Sequence, residues 1–311
     1  MEDDATLYKT ARRKSSVAPH STLCNTARPV AATCSLLPTP SVPACQCSLN
    51  EVISCRRAAD CGNYSPSSPR RGLSVPRKIT DMVCTQVTDD THDVRTFRLE
   101  WPVGFDYQFV TGQFITVWFP HDPATKRAYS LSSCELDRGY FDISVKKAGN
   151  FGTRLYSELK VGMKLTVIEP VGKFNLPDDP AKDVIMVAGG SGVTPFRGFV
   201  RFLTKMRTQT RCVIIFSVRV PSDIIFNDEF RKLEAMNPNF RFVVTCTRVL
   251  PEHHWTGRVG RVNEALLREF TRSLPNTVYY TCGPTELVEA IEQTLLAAGA
   301  DKKQIKAEKW G

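Results

Sequence analysis

Four short stretches carry side chains whose types and spacing could act on a ligand with phosphates and a flat ring. The first is Arg127-Ala128-Tyr129-Ser130. On a strand, alternation sends Arg127 and Tyr129 to one face and Ala128 and Ser130 to the other. An arginine clamps phosphate through two donors, a tyrosine stacks on a flat ring, and a serine hydroxyl bonds a ring nitrogen. Taken alone, such a tetrapeptide is more often plain surface strand. The second stretch, residues 149–156, is a glycine-bearing turn with Gly152 and Thr153 leading into a short amphipathic helix. The free N–H groups at a helix start suit a diphosphate, although an ordinary capped helix reads the same way.

The third stretch, residues 187–195, places Gly189, Gly190, Gly192, Thr194 and Pro195 after an apolar run and before an amphipathic helix. Glycines let a pyrophosphate approach the backbone, and strand followed by helix is the context that such a turn requires. The fourth, residues 279–284, repeats that logic and ends in Cys282-Gly283-Pro284. It sets Cys282 at the carboxyl edge of a parallel sheet, where ligands of such sheets collect, unless it is merely a buried thiol. Two further pairs, Ser217 with Arg219 and Thr247 with Arg248, follow apolar runs and join a hydroxyl to a fixed positive charge. That combination suits the 2′-phosphate of a nucleotide; the plainer reading is solvated surface charge.

The elements that must position these residues divide into two kinds. Runs at 78–88, 93–100, 112–119, 126–132, 140–147 and 164–169 are short, β-branched or aromatic, and separated by Gly, Pro and Asp turns, which predicts an antiparallel six-stranded barrel. After Pro177, apolar runs at 183–188, 212–217, 240–247 and 277–281 alternate with helical stretches, the signature of a parallel sheet in an α/β domain. Phe196, Phe199, Val200, Leu203 and Met206 share one helical face, and Leu287, Val288, Ile291 and Leu295 another; both are core stripes. The Pro- and Asp-rich segment 176–180 separates the two patterns, so the expected domains are 76–176 and 181–311.

Residues 1–75 hold two aromatics, Tyr8 and Tyr64, and seven prolines, too little apolar surface to offset the entropy of ordering. We expect a disordered, targeting or processed extension. Its acid-free stretch 5–50 resembles an organelle transit peptide, mitochondrial for example, and its acidic opening argues against one. Six of the eleven cysteines lie there, at spacings that fit neither an iron–sulfur cluster nor a zinc ribbon, so no metal is expected. The other five are dispersed, as in a reduced intracellular protein. The formal charge of +9 divides into 9 Lys/Arg against 5 Asp/Glu in residues 1–75 and 32 against 27 in the remainder. Without a dense basic run, nucleic acid is not expected as a partner. The mild surplus suits either an acidic redox partner or plain solubility. No run of apolar residues is long enough to span a membrane, and neither secretory signal nor oligomeric state is legible.

The order Arg-x-Tyr-Ser, Gly-x-x-Gly-Thr, Gly-Gly-x-Gly-x-Thr-Pro, Cys-Gly-Pro and a final Glu-x-aromatic, here Glu308 and Trp310, resembles the ferredoxin–NADP reductase superfamily over roughly residues 78–311. The resemblance implies a flavin barrel followed by a nucleotide-binding α/β domain, with FAD rather than FMN as cofactor and NADPH or NADH as co-substrate. Arg127 would hold flavin phosphate, Tyr129 and Ser130 would flank the ring, and Gly152 and Thr153 would meet the diphosphate. Ala128, Lys146, Gly283 and Pro284 join the cofactor-binding set. Ser130, Cys282, Glu308 and Trp310 would stand at the reacting end. Chains with a terminal Trp310-Gly311 leave two readings of that aromatic, stacking on the flavin or closing the sheet. The expected activity is hydride transfer between nicotinamide and flavin, with electrons passed to a separate carrier protein. The alternatives are a self-contained flavin reductase or oxidase acting on small molecules or oxygen, and a non-catalytic flavin-binding module.

Overall fold

The computed structural model describes residues 78–105 and 107–310. The expectations for the N-terminal extension and its six cysteines lie outside them. Among the described residues no helix is long and apolar enough to cross a membrane, and no group of His, Cys, Asp or Glu is arranged to hold a metal ion.

The first half is an antiparallel sheet of six strands: β1 (Ile79–Thr91), β2 (Val94–Glu100), β3 (Phe114–Trp118), β4 (Arg127–Ser130), β5 (Tyr140–Lys146) and β6 (Lys164–Val171). Their spatial order is β4-β3-β6-β1-β2-β5, and an antiparallel bridge from Leu131 to Ile143 joins the two edges into a barrel. Alternation does the sorting. Phe97, Leu99, Ile115, Val117, Ile143 and Val145 turn inward and are fully buried. Helix α1 (Gly149–Glu158) drives Phe151 and Leu155 into the same core.

The second half is a parallel sheet in the order β10-β9-β8-β7-β11-β12, formed by β7 (Asp183–Gly189), β8 (Cys212–Val218), β9 (Phe240–Cys246), β10 (Arg258–Val259), β11 (Thr277–Pro284) and β12 (Ile305–Trp310). Its central strands are apolar on both faces. Val184, Met186 and Ala188 meet α2 (Thr194–Lys205) and α3 (Asn227–Met236) on one side. Ile185 and Val187 meet α4 (Glu264–Phe270) and α5 (Thr285–Ala297) on the other. From β7 the chain winds outward through β8 and β9, then returns to place β11 on the opposite flank of β7. The winding reverses between β7 and β11, and the carboxyl ends of strands at such a reversal form a crevice.

The two halves share core. Val94 of the barrel and Phe174 of the connecting segment belong to the α/β cluster, and Phe174 packs edge-on against Tyr280 at 5.3 Å. Tyr280 Oη and Lys306 Nζ both donate to the carbonyl of Asn175, at 2.6 and 2.9 Å. Two strands lie outside the sequence expectation: β10 has two residues, and β12 spaces charged Lys306, Glu308 and Lys309 along an edge. β11 also runs three residues further than expected. Cys282, Gly283 and Pro284 are strand residues because β12 pairs with them, rather than a turn that follows the strand.

Candidate functional site

At the reversal, Gly189 ends β7, residues Gly190–Val193 form a tight 3-10 turn, and α2 begins at Thr194. Gly190 has φ +52, the left-handed region that glycine enters without cost. Gly192 is required by close approach. A Cβ there would sit 2.1 Å from the carbonyl oxygen of Cys282. Thr194 and Pro195 build the helix start: Thr194 is buried with Oγ1 donating to Ser191 O at 2.7 Å, and Pro195 occupies the first turn. Neither they nor Gly192 lines the cleft that opens above the turn. The turn has no side-chain cap and no acidic residue, so no side chain of its own competes for the positive end of the α2 dipole.

A cleft of about 430 Å³ opens above this turn. Of the residues singled out by sequence, Lys146, Gly189, Gly190, Ser217, Arg219, Thr247, Arg248, Pro284 and Trp310 line it. Sequence reasoning missed Asp93 and Val94 of the barrel, Asp223 and Ile225 after β8, and Arg261 and Glu286. Only the apposition of the two halves puts Asp93 and Val94 there, so no local signal marks them; Arg261, in a Gly-Arg-Val run after a two-residue strand, had a signal in its charge. Charges in the cleft are partly spent. Lys146 Nζ pairs with Asp93 at 3.2 Å, and Arg219 Nε pairs with Asp223 at 3.0 Å. Arg248 and Arg261 are exposed and form no ion pair among the described residues.

Parallel pairing of β11 with β12 sets Pro284 opposite Trp310 and Cys282 opposite Glu308. The Trp310 ring reaches to 3.9 Å of the place where Gly190 would carry a Cβ, so it lies on the turn at the mouth of the cleft. Cys282 is buried, and desolvation, with the nearby Glu308 carboxylate second, pushes its thiol well above the ordinary range. Burial alone raises the Glu308 carboxyl to about 7. The pair is therefore a neutral thiol beside a carboxyl that can hold a proton at neutral pH.

The motif strand β4 forms a second group. Arg127 is exposed and donates from Nη1 to the carbonyl of Lys126 at 2.8 Å; Ala128 is exposed beside it. Tyr129 is half-buried against the barrel core, which raises its hydroxyl to about 12, and Ser130 is half-buried. The helix α1 starts at Gly149 itself, so Gly152 and the exposed Thr153 lie in the helix rather than in a turn that leads into it. A Cβ on Gly152 would stand 2.8 Å from the carbonyl oxygen of Lys146 and 3.7 Å from the Tyr129 hydroxyl. Lys146 thus links the groups, its carbonyl against Gly152 and its side chain in the cleft.

Residues 81–176 match the oxidoreductase FAD-binding domain, and residues 186–293 match the oxidoreductase NAD-binding domain. The chain belongs to the ferredoxin–NADP reductase-like family. It is 33% identical over 234 residues to the glycine betaine monooxygenase reductase subunit of Chromohalobacter salexigens, an alignment that covers 73% of this chain and 63% of that protein. It is 28% identical over 249 residues to NADH-cytochrome b5 reductase 1 of Neosartorya fischeri, covering 76% and 79%. Among solved structures, a ferredoxin NADP+ reductase from Neisseria gonorrhoeae with bound FAD and NADP superposes with a TM-score of 0.63 at 25% identity, over 75% of this chain and 98% of that one. The chain spans 63% of the length of the Chromohalobacter relative.

The residues present fit both groups that this family binds. For FAD, α1 has neither a side-chain cap nor an acid in its first turn, and exposed Arg127 with half-buried Tyr129 and Ser130 stand on the neighbouring strand. For a nicotinamide nucleotide, the uncapped turn at Gly190–Val193 sits at the reversal point of the sheet, below a cleft of dinucleotide scale.

Proposed function

We propose that the protein is a flavin-dependent reductase that takes hydride from a reduced nicotinamide nucleotide and passes electrons to a separate carrier or oxygenase protein. The observation that carries this reading is the cleft at the β7–β11 reversal, which both halves line. Bound FAD supplies the chemistry of accepting a hydride from nicotinamide C4 and releasing its electrons singly.

The chain's own residues bind, orient and exclude water. Arg127 and the start of α1, with Gly152 and Thr153, hold the flavin phosphates, while Tyr129 and Ser130 address the ring. The Gly189–Gly192 turn takes the nucleotide pyrophosphate. Trp310 covers the mouth of the cleft and leaves it when nicotinamide enters. Glu308 holds a proton near neutral pH, and Cys282, kept neutral by burial, packs without adding charge. Ser217 and Thr247 with Arg248 and Arg261 form a cationic end of the cleft whose charge has no acidic partner among the described residues, which favours NADPH over NADH.

Reductase subunits among the relatives favour a separate acceptor over a self-contained oxidase. The five described cysteines are all free and buried, which supports an intracellular setting, cytoplasmic or within an organelle. Anaerobic titration of the purified protein with NADH and with NADPH, followed by release and identification of the flavin, tests the reading. A yellow protein bleached at lower NADPH than NADH is expected, with slow reoxidation by oxygen and fast reoxidation by an added carrier. A colourless protein that binds no flavin overturns it.

A further inference from the structure

Helix α2 does two jobs. Its first residue follows the nucleotide turn, and one long face of it runs along the barrel. Residues 197, 201 and 205 recur every four positions on that face. Gly198 lets the helix come close, since a Cβ there would lie 2.8 Å from the carbonyl oxygen of Ser133. The barrel answers with two carboxylates that have almost no contact with solvent, Asp142 on β5 at 1% side-chain exposure and Asp137 at 2%.

Arg197 sits at the crossing of these contacts. Its Nη1 donates to Ser132 Oγ and to Asp142 Oδ2, both at 3.3 Å, and its Nε donates to Glu229 of α3 at 2.7 Å. Its guanidinium lies 4.9 Å over the ring of Phe226. Phe226 carries a left-handed backbone, φ 59, and its neighbour Ile225 lines the nucleotide cleft. Ser132 stands two residues after Ser130 of the flavin strand. From Ser132 a file of hydroxyls runs across the barrel, Ser144 at 3.1 Å and then Thr96 at 2.7 Å, and Thr96 donates to Asp90 at 2.6 Å. Arg98 holds the other side of Asp142 with bonds of 2.9 and 3.1 Å. Arg201 reaches Asp137 at 3.4 Å and Asp142 at 3.6 Å, and Lys205 pairs with Asp137.

We propose that Arg197 is a positioning residue: one planar guanidinium fixes the flavin strand at Ser132 to the barrel carboxylate Asp142, to α3 through Glu229, and to the cleft wall beside Ile225, and so sets how nicotinamide is presented to the flavin. The inference rests on the proposed reductase function. A guanidinium suits the task because its donors diverge in one plane, whereas an ammonium is a single point that cannot meet three acceptors in fixed directions. Around Arg197 each buried acceptor is engaged, and such a polar network specifies one arrangement of the parts it joins, although Arg201 Nη1 further along the helix has no hydrogen-bond partner among the described residues. Misplacing reacting groups by about 1 Å costs on the order of a hundredfold in rate, so a seam of this kind acts on the rate of transfer more than on binding.

The test compares the full-length, flavin-bound protein with Arg197→Lys and, as a second variant that removes only one acceptor, Ser132→Ala. Two quantities are read: amide hydrogen exchange in segments 130–133 and 189–200, and the anaerobic limiting rate of flavin bleaching by NADPH with its apparent Kd. For Arg197→Lys, exchange in both segments should quicken while strands at 183–188 stay protected. The limiting rate should fall about 10- to 100-fold, with flavin content and Kd within about twofold. Ser132→Ala should move both readouts in the same direction by less. A limiting rate equal to wild type overturns the proposal, as does a rate loss matched by equal loss of flavin or of nucleotide affinity. Should Arg197→Lys not fold, Ser132→Ala decides alone, and unchanged rate and exchange in it overturn the proposal. A wild-type protein that neither NADPH nor NADH bleaches sinks the reductase reading, and unchanged exchange in the variants then sinks the positioning role separately.

Discussion

Cys282 and Glu308 are register partners across β11 and β12, and the carboxyl of Glu308 forms no ion pair among the described residues. Burial raises it from 4.5 to about 7. A raised carboxyl binds its proton more tightly in the folded than in the unfolded chain. The stability linked to it is therefore fully present below about pH 4.5 and is lost as pH rises through 7. Glu308→Gln should remove this dependence and stabilise the protein above pH 7 by at most roughly 3–4 kcal/mol, at about 1.4 kcal/mol per pH unit. Denaturant melts of both proteins at pH 5 and pH 8.5 check it: the gap between them should open only at the higher pH.

The same proton bears on the proposed reaction. If Glu308 holds it beside the reacting end, the limiting rate of flavin reduction should bend at an apparent pKa near 7, and the bend should vanish in Glu308→Gln. A profile that bends identically in both proteins would assign the titration to another group. Stopped-flow reduction between pH 5.5 and 9 separates the two.

Arg248 and Arg261 differ from Arg219 in their partners. Arg219 is engaged by Asp223, whereas the other two face the cleft without an acid among the described residues. A charge-assisted bond to a phosphate contributes about 1.5–3 kcal/mol, or roughly 10- to 150-fold in affinity. Replacing Arg248 or Arg261 with Ala should weaken NADPH by about that factor and leave NADH within about twofold. Equal losses for the two nucleotides would mean that the arginines serve the shared part of the molecule. Titration of each variant with both nucleotides measures the ratio.

Much of this was legible because burial leaves a pattern. β7 reads as a strand with two buried faces, and Phe196, Phe199 and Leu203 mark the inner side of α2 at helical spacing. The glycine turn was legible as a turn, but the reason for Gly192 was not, since the carbonyl that it accommodates belongs to Cys282, ninety residues along the chain. β12 escaped because its charges obscure alternation on an edge strand, and β10 because two residues carry no period. Asp93 and Val94 looked like ordinary barrel residues; they become part of the cleft only when the α/β half docks beside them. Local propensity has no access to such contacts.

That distant contact can be tested directly. In Gly192→Ala the new Cβ would meet backbone atoms of Cys282 and Gly283 at 2.1 to 2.7 Å, and neither can rotate away as a side chain would. Relief requires β11 and the 190–193 turn to part, at a cost of about 1–3 kcal/mol typical of overpacking. The melting temperature should fall by several degrees, about 2–4 °C for each kcal/mol in a domain of this size. Nucleotide affinity should weaken while flavin content holds, because the atoms nearest the new Cβ belong to β11 rather than to the barrel. A variant with wild-type melting temperature and nucleotide affinity would show that the turn and β11 are not in fixed contact.

Trp310 poses the last question, since it lines the cleft and lies on Gly190 while 39% of it remains exposed. A ring so placed shields the turn from water yet loses little by swinging out. When nicotinamide enters the same place, the contact between Trp310 and the turn must be given up, and that energy is subtracted from the affinity. If the contact is worth about 1 kcal/mol, Trp310→Ala should raise nucleotide occupancy about fivefold. The flavin spectrum should shift as well, since the surroundings of the ring become more polar. Affinity and spectrum both equal to wild type would leave Trp310 the simpler task of closing the sheet edge beside Pro284, which a drop in melting temperature alone would then report.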